Sequence, residues 1–249
     1  MIHIIDNPLA PENRPLLQSM FADRKRLFVD LFGWDVPVVD GQYEIDQFDN
    51  ADAIYLIVAD EDGEHAASIR LFPSIRPHML GTLFPHLCPF GVPVDEATWE
   101  STRLCLPQRH GAERRRELRN MLFSAMVDVA LERGIEHYTG VIPDPFRKEV
   151  LSLGWQAEPL GPAVRIPGRP IGAFLMHVRT SRFAPVKWSK SWPITKLVAQ
   201  RQAGYSHVIE GASDTMMSPS AGRADPVRHI CRMQARLQQP ADCARVECC

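Results

Sequence analysis

The sequence predicts an α/β (α+β) domain built on a mixed, mostly antiparallel sheet with helices on both faces. Three observations predict it. Apolar residues at near-helical spacing between positions 14 and 32 come before two apolar runs, 53–59 and 66–72, which a turn of AspGluAspGly joins into a hairpin. A longer helical pattern runs from 113 to 133, between segments 98–106 and 137–142 that read as strands. The resulting order of helix, antiparallel strands, helix, strand, helix, strand puts helices on the faces of one sheet.

Each element has a local reason. Residues 2–5, IleHisIleIle, are β-formers and start a short strand. In the first helix Met20, Phe21, Leu27, Phe28 and Leu31 supply the apolar side, and Gly33 closes it. Residues 35–52 are acidic and rich in turn formers. The hairpin follows, and then 73–95, whose prolines predict a loop with short helical turns. Segment 98–106 alternates as a strand. In the long helix Leu118, Met121, Leu122, Ala125, Met126 and Val129 mark one face, and Gly134 is a natural stop. Strand 137–142, a short helix ending near Gly154 and a last strand at 172–178 complete the domain, which we bound at 1–182. Residues 183–249 lose sustained periodicity and are rich in Ser, Pro, Gly and Asp. They read as a poorly ordered, largely flexible extension with two short helical pieces at 194–203 and 226–238.

Composition narrows the function. A net charge of -2 argues against a general nucleic-acid binder. No segment is apolar for the roughly 18 residues a membrane span needs. The N-terminus has no basic stretch followed by an apolar one, so no signal peptide is expected. The six cysteines have no framework spacing, and Cys231, Cys243, Cys248 and Cys249 with His229 fit no standard zinc pattern. The expectation is a cytoplasmic, reduced protein with no metal.

Three motifs then stand out: Arg24-x-x-x-Phe28-x-x-x-x-x-Trp34, Glu44-x-Asp46-x-x-Asp49 and Trp99-Glu100-x-x-Arg103, with Arg70 and Phe84 between them. The set is acids, arginines and aromatics, without a nucleophile triad. It suits a substrate bearing both charges: acids for a cation, arginines for an anion, aromatics to cover a sulfonium or an apolar tail. Taken singly, each has a plainer reading. Arg24 and Phe28 fit a surface arginine above a core phenylalanine, Trp34 a core plug, and the acids a solvated loop. Arg70, on a strand among apolar residues, needs a partner, which Asp46, Asp49 or Glu100 can provide. Glu100 and Arg103 would point to opposite faces of a regular strand, and a β-bulge between them would re-aim one.

In this order and spacing, from about Ile4 to about Val178, the motifs resemble those of the acyl-homoserine-lactone synthases, the LuxI-type autoinducer synthases, which have the GNAT acyltransferase fold. The resemblance implies two substrates, S-adenosylmethionine and a fatty acyl thioester on acyl carrier protein, with methylthioadenosine released and no cofactor. It implies Glu100 as general base, with Arg24, Arg70 and Arg103 in the catalytic wall. Phe28, Trp34, Asp46, Asp49 and Phe84 would line the substrate pocket. Thr139 aligns where synthases accepting 3-oxo chains often have Thr or Ser; it equally fits a β-former filling a strand slot. Gln108-Arg-His-Gly111 resembles the GNAT pyrophosphate loop, but Glu113 departs from it and would repel phosphates, which fits a carrier-protein donor better than CoA. Arg109, Arg114, Arg115, Arg116, Arg119, Arg147 and Lys148 read as a solvated basic face or as a docking patch for an acidic carrier protein. The rival is a related GNAT N-acyltransferase that uses acyl-CoA and another amine, or a non-catalytic S-adenosylmethionine-binding protein.

Overall fold

A computed structural model describes residues 1–152, 156–165 and 170–178 of the chain. The expectations for the extension 183–249, its cysteines and the close of a helix at Gly154 fall outside the described residues.

β1 (Ile2–Ile5) leads to α1 (Arg14–Arg24), which buries Leu17, Met20 and Phe21 at spacings of one and three residues. The predicted single helix then changes character: Lys25–Leu31 is π-helical, a wider turn that is rare and often found at functional sites. Gly33 ends it with a positive φ of 65°, and the Trp34 N–H donates back to the Phe28 carbonyl at 2.9 Å. The acidic stretch contains a two-stranded hairpin that the sequence did not announce, β2 (Val38–Val39) with β3 (Tyr43–Glu44). The predicted strand hairpin is β4 (Ile54–Ala59) with β5 (His65–Pro73). α2 (Met79–Leu83) is one of the expected short turns in the proline-rich loop. β6 (Thr98–Cys105), α3 (Ala112–Arg133), β7 (His137–Pro143) and α4 (Asp144–Ser152) follow as expected, and Gly134 takes the left-handed φ of 72° that stops α3. Two short strands went unread, β8 (Gln156–Pro159) and β9 (Val164–Arg165); both pair with β10 (Pro170–His177).

The main sheet has the order β1-β4-β5-β6-β7-β10-β8, with β9 also on β10. Every pairing is antiparallel except β6 with β7. That parallel pairing covers only Thr98–Glu100 against His137–Thr139, so the two strands part beyond Glu100. The sheet is buried on both sides, which is why β4 reads as a continuous apolar run. On one side Ile54, Leu56, Ile69 and Leu71 pack against Leu118, Leu122, Met126 and Val129 of α3. On the other, Tyr55, Ile57 and Phe72 pack against Leu17, Met20 and Phe21 of α1.

Candidate functional site

Under α1, on the second face of the sheet, three arginines and three carboxylates close on one another. The Arg24 guanidinium donates to Asp49 through two N–H groups at 2.8 Å each, and to Glu44 at 2.6 Å. Arg70 grips Asp46 at 2.6 and 3.1 Å, reaches Asp49 at 2.7 Å and donates from Nε to the Thr102 hydroxyl at 3.0 Å. Arg103 bridges Glu44 at 3.0 Å and Asp46 at 2.6 Å. Tyr55, on β4 beside Arg70, donates its hydroxyl to Asp49 at 2.8 Å. Backbone amides join in: Asp46 N–H donates to Asp49, and Phe48 N–H to Asp46. Charges balance within the cluster, which is what permits it to be buried. Burial alone would raise the Asp49 carboxyl, but Arg24 and Arg70 more than offset it and hold it well below the usual carboxylate range. Burial and the Asp49 charge push the Tyr55 phenol up, so it stays a donor.

The cluster grades from sealed to accessible. The Asp49 side chain has no solvent exposure, whereas that of Arg103 keeps 9%. The Arg103 guanidinium lies 5.9 Å from the centre of the Phe28 ring, and Phe28 stacks on Trp34 at 4.8 Å with 4° between planes. Trp34 itself is 38% exposed and is neighboured by exposed Leu31, Phe32 and Val38. The three motifs are thus one continuous object, from Trp34 at the surface through the buried Phe28 to a buried acid. Arg24, Arg70 and Asp49 are enclosed, with their polar atoms committed to the cluster: Arg24 holds Glu44 and Arg70 holds Asp46, the two acids that Arg103 bridges.

A bulge aims Arg103, and it sits at Arg103 itself rather than before it. Ser68 pairs with Cys105 and Arg70 with Thr102, so β6 carries one extra residue there. Arg103 takes φ 54°, the left-handed region that a side chain rarely adopts. It therefore reaches Asp46, which Arg70 also holds, and Glu44 beside it.

Glu100 takes a different place from the counter-ion role open to it in the sequence. Its two carboxylate oxygens accept the Met79 N–H at 2.9 Å and the Leu80 N–H at 2.6 Å, at the start of α2. Burial raises its pKa, although the two amides, His78 and Arg70 pull the other way. Its neighbour across the parallel pair is Thr139, whose buried hydroxyl has no hydrogen-bond partner among the described residues. Buried hydroxyls are nearly always satisfied, so this one is unusual. Phe84, half-buried, packs between the second-face core and a small cluster around Leu80 and Ile171.

The basic cluster divides. Of the residues expected at a docking surface, Arg147 turns inward, while Arg109 keeps 43% of its side chain exposed and reaches a buried acid. Arg109 pairs with Asp23 at 2.7 Å and donates to the His65 carbonyl. Arg147 is buried against Asp144 at 2.7 Å and donates to the carbonyls of Gly161 and Ala173. Arg114 pairs with Glu117, Arg119 with Glu149, and Lys148 with Asp144. Arg115 and Arg116 make no ion pair among the described residues, and Arg116 is exposed.

Sequence reading missed Tyr55, Thr102 and a second buried cluster, Asp23–His65–Ser68. Asp23 was legible as an acid beside Arg24, but its partners come from distant strands. No group of His, Cys, Asp and Glu suited to a metal occurs among the described residues. Cys88 and Cys105 are buried free thiols. No described helix is long and apolar enough to cross a membrane.

Comparison with known proteins gives this geometry a context. Residues 10–184 match the sequence model of the family described as autoinducer synthase. An acyl-homoserine-lactone synthase of Ralstonia nicotianae is 33% identical over 168 residues, spanning 65% of this chain and 81% of the relative. Among solved structures, the CoA-dependent acyl-homoserine lactone synthase MesI superposes with a TM-score of 0.65 at 25% identity, covering 73% of this chain and 90% of that one. BjaI, a CoA-dependent synthase solved with S-adenosylmethionine and isopentyl-CoA, gives 0.63 at 26% identity, covering 72% and 84%.

Proposed function

The chain belongs to the autoinducer synthase family, a family of acyltransferases, and on that premise we propose that it makes an N-acyl-L-homoserine lactone from S-adenosylmethionine and a fatty acyl thioester on acyl carrier protein, releasing methylthioadenosine. The observation that carries this reading is the continuity of the three motifs, from the Phe28–Trp34 stack through Arg103 to the closed acid–arginine cluster. An aromatic pair of an exposed Trp34 on a buried Phe28, ending on a cation and two acids, suits a ligand with an apolar sulfonium flank, an ammonium and a carboxylate. The acids are already matched by guanidiniums, so the cluster fixes the wall of the site and Arg103, its least buried cation, takes the substrate carboxylate.

In the acylation step the deprotonated amine attacks the thioester carbonyl. Glu100 accepts the amine proton, directly or through a water, and the thiol departs. Beyond Glu100, β6 and β7 part, and the backbone at that opening receives the developing oxyanion. The substrate carboxylate then attacks Cγ, the C–S bond breaks, and neutral methylthioadenosine leaves as the lactone closes. The arginines contribute position rather than proton transfer. The unpartnered Thr139 hydroxyl supports a donor contact to a 3-oxo group.

The acyl carrier protein reading is supported by Glu113 in the first turn of α3, which disfavours the several phosphates of CoA, and by Arg115 and Arg116 on the same helix. The likeness to MesI and BjaI, both described as CoA-dependent, favours acyl-CoA as the second reading. Incubation of the purified protein with S-adenosylmethionine and either donor, followed by mass spectrometry, tests both. Lactone and methylthioadenosine in equal amounts are expected, faster from the carrier protein. Acylated amine without methylthioadenosine would turn the assignment to a general N-acyltransferase.

A further inference from the structure

The second buried cluster joins the loop that leads into α3 to the helix that carries Arg24. Asp23, immediately before Arg24, is almost fully buried. Its Oδ2 accepts from His65 Nδ1 at 2.7 Å, and its Oδ1 from Arg109 at 2.7 Å and from Arg26 at 2.9 Å. His65 is fixed from every side. Its backbone N–H donates to Ser19 Oγ at 3.1 Å, its carbonyl accepts from Arg109, and its Nε2 faces Ser68 Oγ at 2.9 Å. A carboxylate accepts at Nδ1–H, so Nε2 is the acceptor and the serine hydroxyl the donor. Burial favours this neutral form of the ring.

Arg109 is therefore a tie-bar. One edge of its guanidinium serves a carboxylate on α1 and another serves a carbonyl at the start of β5, a pair of directions a planar fork can satisfy and an ammonium cannot. It fastens the segment between Cys105 and Ala112. The Cys105 side chain at one end of that segment packs against Leu27 and Phe28, and the first turn of α3 begins at the other.

We infer that Asp23 and His65 are positioning residues for the acyl donor, anchoring Arg109 and through it the loop between β6 and α3. The inference depends on the donor lying along that loop, as in the function proposed above. Asp23 is too buried to touch a donor, and Arg109 is its direct link to the loop before α3. A docking arginine acts through the solvent and is screened by salt; a tie from the half-exposed Arg109 to a buried carboxylate is screened much less.

The test compares Asp23→Asn, Arg109→Gln, the double variant and Arg109→Lys in steady-state kinetics for each substrate. Asp23→Asn and Arg109→Gln should each raise the donor KM about tenfold, the size of one lost charged hydrogen bond. The KM for S-adenosylmethionine should stay within about twofold, and the double variant should be no worse than either single change. The rise should hold from about 0.05 to 0.5 M salt. Arg109→Lys, the milder change, should give an intermediate rise and keeps the test open should Asp23→Asn fold poorly. A donor KM that moves in Arg109→Gln but not in Asp23→Asn or Arg109→Lys makes Arg109 a docking residue and overturns the inference. So does an equal rise for both substrates with a lowered melting temperature. Absence of lactone from the unaltered protein with either donor would instead remove the proposed function, and the inference with it.

Discussion

Around β3, Arg24, Arg70 and Arg103 arrive from three separate elements and converge on three carboxylates. Along α3, α4 and the loop before α3, seven basic residues come from two stretches of sequence and disperse: Arg147 goes inward, Arg109 reaches a buried acid while staying half-exposed, three pair with carboxylates on the same two helices, and Arg115 and Arg116 are left. The difference follows from geometry. Charges set singly among apolar residues on different elements have to find partners, because an unpaired buried charge is costly, so they collect. Charges adjacent on a helix are about 100° apart around its axis, so a run such as Arg114-Arg115-Arg116 cannot form one patch. Scattered charge marked a site here, and clustered charge mostly did not.

The largest expected effect sets the sealed cluster against the open helix. Arg24→Ala removes the partner of two buried carboxylates and should cost about 3–5 kcal/mol of stability. Arg116→Ala, an exposed change, should stay within about 0.5 kcal/mol. Urea denaturation of both variants measures the contrast. Equal, small changes would mean that the acids of the cluster find water or other donors when Arg24 is gone, and that the cluster is not sealed.

Next in size is Glu100, which belongs to neither group. Glu100→Gln keeps the shape and removes the proton acceptor, so single-turnover acylation should slow by about 10²-fold or more. The structure adds a stability cost, because the amide NH2 meets a backbone N–H where a carboxylate oxygen accepted one. Burial raises the Glu100 pKa, and the sign of the pH dependence follows. The ionised form is the base, so acylation should be lost as the pH falls through the raised value. The folded protein favours the protonated form, so the contribution of Glu100 to stability is full below the ordinary glutamate range and is lost as the pH rises through that raised value. Opposite pH trends for rate and stability, both absent in Glu100→Gln, are expected. A normal single-turnover rate would take Glu100 out of the chemistry and leave it as the anchor of α2.

Much of this was legible beforehand, and the reasons are specific. The two long helices and the β4–β5 hairpin were readable because apolar periodicity and turn residues agree there. The two-residue strands β2, β3 and β9 were not, since so short a run has no period to read. The π-helical stretch was hidden because its residues keep an ordinary apolar spacing; the i to i+5 bond from the Phe32 N–H to the Leu27 carbonyl reveals it. A bulge was foreseen near Arg103 from the clash between strand alternation and a shared role, but not its position, which a left-handed non-glycine residue sets. The burial of Arg147 was not legible because its partners, Asp144 and two carbonyls, depend on how loops pack, and so does the reach of Arg109 to Asp23.

The smallest expected effect decides what the open helix is for. Arg115→Glu with Arg116→Glu reverses the charge of the two residues that the fold leaves unpaired, and exposed pairs of this kind contribute only about 0.2–1 kcal/mol each. If an acidic carrier protein docks there, its KM should rise a few-fold at low salt, and the rise should fade as the Debye length shrinks from about 10 Å at 0.1 M toward 3 Å at 1 M. The KM for S-adenosylmethionine should not move, because the Phe28–Trp34 stack and Arg103 are built from other elements. With acyl-CoA as donor the same variant should show a smaller rise, since a small ligand meets fewer surface charges than a protein does. A rise of equal size with both donors would place the two arginines at the phosphates rather than at a protein interface. The contrast between the two arginine regions would then narrow to one of depth alone, both of them facing substrate.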